Sequence, residues 1–167
     1  MAHPAPPELV ALIGPPGAGK TTALARLDVR DAVVVGLDRA RAEVSCCAAD
    51  QSATHAALRR SLATARAALA AGTSVVWDAT NARRRERRRL LDLAREQGAR
   101  TRAVVVLPDL GTALARNAAR DPSPCPACGH AERVPDDVVR RMHATISRAV
   151  PDLPAEGWDR VDHLDRT

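Results

Sequence analysis

The residues most suited to chemistry lie near the start of the chain, where Gly14-Pro15-Pro16-Gly17-Ala18-Gly19-Lys20-Thr21 fits the pattern G-x-x-x-x-G-K-[ST]. Glycines at this spacing turn backbone N–H groups inward, making a cradle for the oxyanions of a polyphosphate. The lysine reaches the β- and γ-phosphates, and the following hydroxyl is a magnesium ligand. Gly14, Pro16, Gly17, Ala18, Gly19, Lys20, Thr21 and Thr22 are therefore the expected ATP contacts, with magnesium on Thr21. The chain holds 25 Lys and Arg residues, and Lys20 is the one lysine among them. A compact ammonium fits between phosphates where a planar guanidinium does not substitute freely.

Three further sets of residues could act beside such a cradle. Asp38 follows a β-branched run, where a carboxylate can take the proton of an attacking hydroxyl; it could equally be a helix N-cap. Arg41 is three residues on and could grip an acceptor phosphate bidentately, or be a solvated side chain. Asp78 ends another apolar run, where an acid can hold magnesium, directly or through water, or cap the next helix. Arg116 and Arg120 share a helix face and could offset charge on a transferring phosphoryl group, or be an ordinary surface pair.

Apolar runs alternate with helix-like stretches along the chain. Strands are expected at 9–13, 32–35, 74–77 and 103–107, with a short fifth at 159–164. Helices are expected at 20–27, through Leu58, Leu62, Ala65 and Leu69, from Arg83 to Ala94, over 110–119, and from Pro135 with Val138, Met142, Ile146 and Val150 on one side. This alternation predicts an α/β fold of the P-loop NTPase type: a parallel sheet of about five strands, helices on both faces, and a lid. The 167 residues read as a single domain, 1–167, with a flexible lid insert at about 120–134.

Composition narrows the setting. The chain has no Phe or Tyr and only two Trp, so its core must be aliphatic. A net charge of +5 suits an anionic partner. No apolar stretch is long enough for a membrane span, Met1 to Glu8 has no basic leader, and four Cys are too few for a secreted disulfide framework. A cytoplasmic location is expected.

The ordered set of motifs resembles the kinase domain of bacterial polynucleotide kinase-phosphatase, a 5′-hydroxyl polynucleotide kinase within the AAA-like P-loop kinases. The resemblance runs from about Leu9 to about Leu164. It is carried by the P-loop, D-x-x-R (Asp38, Arg41), Asp50-Gln51-Ser52-Ala53-Thr54, Asp78-Ala79-Thr80-Asn81, R-N-x-x-R (Arg116, Asn117, Arg120), and Val134 leading into Val138-Val139-Arg140-Arg141. It implies Lys20 and Thr21 as phosphate and magnesium residues, Asp38 as general base, and Arg41 on the phosphate next to the acceptor hydroxyl. Arg116 and Arg120 would be lid arginines on the donor nucleotide. Two departures stand out: Gly36 where the family often has Ser, and the insert from Pro122 to Ala131.

That insert contains Cys125-Pro126-Ala127-Cys128-Gly129-His130, half of a zinc knuckle. Zinc needs four ligands and a second C-x-x-C is missing, so the pair reads first as reduced thiols in a tight turn. His130, or Cys46 and Cys47 folding nearby, would have to complete a metal site. The run Arg83–Arg89 places six arginines around Glu86; on a helix these project all round, so most should be solvated, and no aromatic side chains are interleaved for base stacking.

Together these residues point to an ATP- and magnesium-dependent phosphotransferase, with Lys20, Asp38 and Arg116 catalytic and Asp38 and Arg41 on the acceptor. The acceptor expected from the resemblance is a 5′-hydroxyl end of RNA or DNA. The alternatives are a phosphorylated or other small molecule (an antibiotic, nucleoside or nucleotide sugar), and a nucleotide-binding switch without phosphotransfer.

Overall fold

The computed structural model describes residues 5–29 and 31–164. Five strands form one parallel sheet: β1 (Glu8–Ile13), β2 (Val33–Gly36), β3 (Val75–Asp78), β4 (Arg100–Val105) and β5 (Arg160–His163). Their order is β2-β3-β1-β4-β5. The first strand therefore lies mid-sheet, with Ala11 beside Trp77 on one flank and Ile13 beside Val105 on the other. The chain leaves β1 in one direction to reach β2 and later returns to its opposite side at β4. Such a switch point opens a crevice at the strands' carboxyl ends.

Both faces of the sheet are covered, so β1 is apolar without interruption. Leu9, Ala11 and Ile13 face one core, with Trp77, Leu69, Leu90 and Ile146. Val10 and Leu12 face the other, with Ala18, Ala23 and Val104. Period-two alternation with two buried sides is what a central parallel strand requires. Both tryptophans are buried.

The helices are α1 (Lys20–Leu24), α2 (Leu37–Val44), α3 (Thr54–Ala70), α4 (Arg84–Glu96), α5 (Leu110–Ala118) and α6 (Asp136–Ala149). Two expectations need correction. Helix α1 stops at Leu24, ahead of the expected Leu27, because the chain tightens there into turns in which the Arg26 N–H donates to Ala23 O and the Leu27 N–H to Leu24 O. Helix α6 buries Val139 and Ile146 rather than a seam led by Val138. Most arginines of the run 83–89 are exposed, as expected, and Arg87 is the exception. Arg87 is fully buried, its guanidinium paired with Glu156 and its Nη1 donating to Asn81 O (3.0 Å) and Ala82 O (2.8 Å). The neighbours Leu90, Leu91 and Leu93 pull that face of the helix onto the sheet, and Arg87 goes with them.

Candidate active site

The loop between β1 and α1 is shaped by what crowds it. Gly17 has φ +78°, and a Cβ there would stand 2.2 Å from the Ala113 carbonyl oxygen of α5. At Gly14 a Cβ would stand 2.4 Å from Val106 O. These two positions tolerate no side chain, because the loop is wedged between the end of β4 and the first turn of α5. The loop ends at Gly19, in the left-handed region, from which α1 starts with its N-terminus towards the cradle.

Lys20 Nζ donates to the carbonyls of Gly14 (2.9 Å) and Pro15 (3.0 Å), folding back across its own loop. Burial pulls the ammonium down to about 8; the carboxylates of Asp78 and Asp38 oppose this, and Arg120 adds to it. The charges of Asp78, Asp38 and Arg120 are thus all felt at Lys20. Asp78 is half-buried, and its carboxyl is raised above the usual carboxylate range by desolvation, an effect Lys20 opposes and Asp38 reinforces. Thr21 and Thr22 are exposed at the head of α1.

The register of β2 on β3 sets Gly36 beside Asp78. Asp38, two residues past Gly36, stands in the first turn of α2 with its side chain 76% exposed. It is not an N-cap, since that position is Gly36. Asp78 does not cap α4 either; Arg83 holds that position. Arg41 is not a solvated side chain. It is buried, donates through Nε to Ala48 O (2.7 Å), and is ion-paired through Nη2 with Asp38 Oδ1. Arg41 therefore has a structural task whether or not an acceptor phosphate is bound.

Arg116 extends from α5 to the phosphate loop, its Nη1 donating to Ala18 O at 3.2 Å. Between Arg116 and Arg120 lies Asn117, completely buried. Its Nδ2 donates to Val134 O (2.7 Å) and its Oδ1 accepts from Val134 N–H (3.1 Å). This amide fastens the far end of the insert to the helix from which the insert leaves. The insert also closes through Arg133 N–H donating to Asp121 O.

Two site-building residues carry no spacing signal. Asn81, with φ +48°, is buried and donates through Nδ2 to Leu12 O (2.7 Å), while Gly14 N–H donates to Thr80 O (3.2 Å). The turn after β3 thus braces the phosphate loop, and Arg87 braces the turn. An Asn soon after a strand-ending acid is a turn signal, since Asn tolerates the left-handed region. Nothing marks Arg87 among its neighbours.

The second C-x-x-C is indeed missing, but the pair that the sequence offered in its place is brought to the insert. Cys46 and Cys47, between α2 and the short 3₁₀ turn Gln51–Ala53, meet Cys125 and Cys128 of the insert, all four sulfurs within 4.8 Å of one another.

A parallel sheet with a phosphate cradle at its switch point defines a P-loop NTPase-like, kinase-like α/β domain; such a fold takes a nucleotide and typically magnesium. The chain belongs to the AAA domain family AAA_33, which it matches over residues 9–149. No curated protein matches it. Among solved structures it is similar to a chain of the Pnkp1/Rnl/Hen1 RNA repair complex (TM-score 0.70, 21% identity, 87% of this chain and 46% of that one). It is also similar to a candidate kinase of Chloroflexus aurantiacus (0.68, 19%, 97% and 89%). A third is AvrRxo1-ORF1:-ORF2 solved with ATP (0.63, 20%, 89% and 50%). This chain spans under half of the matched RNA repair chain. At these identities the likeness is one of fold. Among the described residues, no helix is long and apolar enough to cross a membrane.

Proposed function

We propose that the protein transfers the γ-phosphoryl group of ATP to a hydroxyl of a phosphate-bearing acceptor, with a 5′-hydroxyl end of RNA or DNA as the first candidate. The observation that carries this reading is the β2–β3 register, which sets Gly36 beside Asp78 and so brings the Arg41-paired Asp38 to the same strand ends, where both carboxylates act on the Lys20 charge. A switch protein needs the cradle and a magnesium acid. It does not need a second, exposed carboxylate paired with a buried arginine beside the cradle.

In this reading Lys20 and the amides of Gly17, Ala18 and Gly19 hold the triphosphate, and Thr21 with Asp78 would hold magnesium, which supplies charge neutralisation between the β- and γ-oxygens. Asp38 accepts the proton as the acceptor oxygen bonds to phosphorus and the bond to the ADP oxygen breaks. Arg116 and Arg120 face the donor phosphates, where developing charge is stabilised by fixed donors. Arg41 orients Asp38 and adds positive charge where the acceptor's own phosphate would lie. A nucleic-acid end as acceptor is also in keeping with the fold shared with the RNA repair complex chain.

One observation favours a second reading. Both tryptophans are buried and the chain has no Phe or Tyr, so no aromatic ring is offered to an unstacked base. A phosphorylated small molecule satisfies Arg41 as well as an oligonucleotide does.

The deciding experiment is phosphoryl transfer from labelled ATP to a 5′-hydroxyl oligonucleotide, a 3′-phosphorylated nucleoside and a bare nucleoside, with wild type and Asp38→Asn. Expected are a wild-type preference for the phosphate-bearing acceptors and a large loss of rate in Asp38→Asn with nucleotide binding retained. Transfer to the bare nucleoside at equal efficiency removes the case for a phosphate-bearing acceptor. Undiminished turnover in Asp38→Asn removes Asp38 as base.

A further inference from the structure

We propose that Cys46, Cys47, Cys125 and Cys128 form a structural zinc site that clamps the lid insert onto the loop after α2. The proposal is independent of which acceptor the enzyme uses.

Geometry is the first ground. The Cys47–Cys128 sulfurs are 3.6 Å apart, Cys46–Cys125 3.7 Å and Cys46–Cys47 4.0 Å. Zinc–thiolate bonds of about 2.3 Å at tetrahedral angles place neighbouring sulfurs about 3.8 Å apart. The three separations straddle that edge length. A disulfide needs about 2.05 Å, and all four cysteines are free. Two cysteines come from each of two segments some 80 positions apart in the chain. An all-thiolate tetrahedral set selects zinc among the common divalent ions.

The surroundings of the sulfurs are the second ground. On the insert side, Gly129 takes φ +74° and donates its N–H to Cys125 O (2.8 Å), while Cys125 N–H donates to His130 O (2.8 Å). This knuckle turns the amides of Ala127 and Cys128 onto the Cys125 sulfur and that of His130 onto the Cys128 sulfur. Amides aimed at thiolates are the outer support that metal-bound cysteines require. On the other side, Asp50 orders the cysteine loop by accepting from Ser52 N–H (3.0 Å), Ser52 Oγ (2.6 Å) and Ser45 Oγ. Asp50, Cys128 and His130 also lie within ligand distance of one another. However, the four sulfurs already complete a tetrahedral set that includes Cys128, so His130 is an outer neighbour and not a ligand.

With four thiolates the metal has no open position, so its role is to hold structure. It joins the insert that follows Arg116 and Arg120 to the loop whose Ala48 carbonyl is held by Arg41. Donor-side and acceptor-side arginines are thereby fixed to one clamp.

The test uses the full chain, purified under reducing conditions with zinc in the growth medium and no chelator. Elemental analysis should find about one zinc per chain, released by a mercurial reagent. Cobalt(II) substitution should give the visible absorption of a tetrahedral site with thiolate charge-transfer bands of a four-sulfur set. Cys46→Ser and Cys128→Ser should each lose the metal, and His130→Ala should keep it. Wild-type protein that stays metal-free after dialysis against zinc, with four thiols open to alkylation, overturns the proposal. A cobalt spectrum with fewer than four sulfurs that disappears in His130→Ala also overturns it. The wild-type metal content and spectrum decide the matter even if a variant fails to fold.

Discussion

Replacing Asn117 by Ala tests whether the insert is fastened by a single buried amide. The substitution removes two hydrogen bonds, one donated to Val134 O at 2.7 Å and one accepted from Val134 N–H at 3.1 Å. Each is worth about 0.5–1.5 kcal/mol net. Val134 is only half-buried, so water can replace part of what it loses, whereas the Asn117 position is sealed. The expected cost is thus about 1–3 kcal/mol, felt first as local opening of residues 118–134 and not as global unfolding. Amide hydrogen exchange read at Arg133 and Val134 should rise about 5- to 150-fold, with the strands of the sheet unaffected. Asn117→Asp should do no better than Ala, because it keeps an acceptor for the Val134 N–H but sets a carboxylate against the Val134 carbonyl. Unchanged exchange across 118–134 in Asn117→Ala would show that the insert is held elsewhere. Rescue by Asp would show that only the acceptor half of the amide matters.

Two further outcomes follow from the cradle. Lys20 holds its proton to only about 8, against 10.5 ordinarily. Bound phosphates must raise that value, so nucleotide binding takes up a proton at higher pH, and affinity should fall by up to about tenfold for each pH unit above about 8. The unfolded chain binds the extra proton between about 8 and 10.5, so the same group makes stability rise, not fall, across that window. Calorimetry of ATP binding in buffers of different ionisation enthalpy checks the uptake, and pH-independent affinity between 7.5 and 9.5 would contradict it. Gly17→Ala should abolish ATP binding while the fold survives. It forces a methyl to within 2.2 Å of Ala113 O at a φ that costs a non-glycine residue about 1–3 kcal/mol; wild-type affinity in that variant would mean that the loop and α5 are less tightly wedged than described.

Local pattern and tertiary context divide the legible from the illegible here. The runs at 9–13, 74–77 and 103–107 mark strands because a parallel strand covered on both faces is written as largely apolar sequence, and 32–35 because β-branched residues suit even an edge strand whose Val34 is exposed; each became a strand within two or three residues. The position of the phosphate loop after β1 follows from the same reading. Strand order does not, because pairing is non-local: nothing near Val75 says that it lies between β1 and β2. Arg87 has the same side chain as its neighbours Arg85 and Arg88, and only Glu156, 69 residues on, singles it out. Likewise, the sequence leaves open whether His130 or Cys46 and Cys47 join Cys125 and Cys128, and only the fold, by bringing the loop after α2 to the insert, favours the cysteines. Arg41 reads in the sequence as a phosphate grip or a solvated side chain, and its burial stays hidden because its contact with Ala48 O depends on how the loop after α2 turns back.

The two buried tryptophans have an optical consequence. With no Tyr and no Phe, absorbance and emission near 280–350 nm come from Trp77 and Trp158 alone. Trp77 immediately precedes Asp78 in β3, so one fluorophore is covalently next to the proposed magnesium acid. Trp158 lies just before the edge strand β5, near Glu156, to which its Nε1 is directed at 3.5 Å. Trp158→Phe would leave a single intrinsic reporter adjoining the cradle, and Trp77→Phe a single reporter of the Arg87–Glu156 buttress. The sequence thus carries its own pair of probes, and nucleotide arrival and distant packing can be followed separately without attaching a dye.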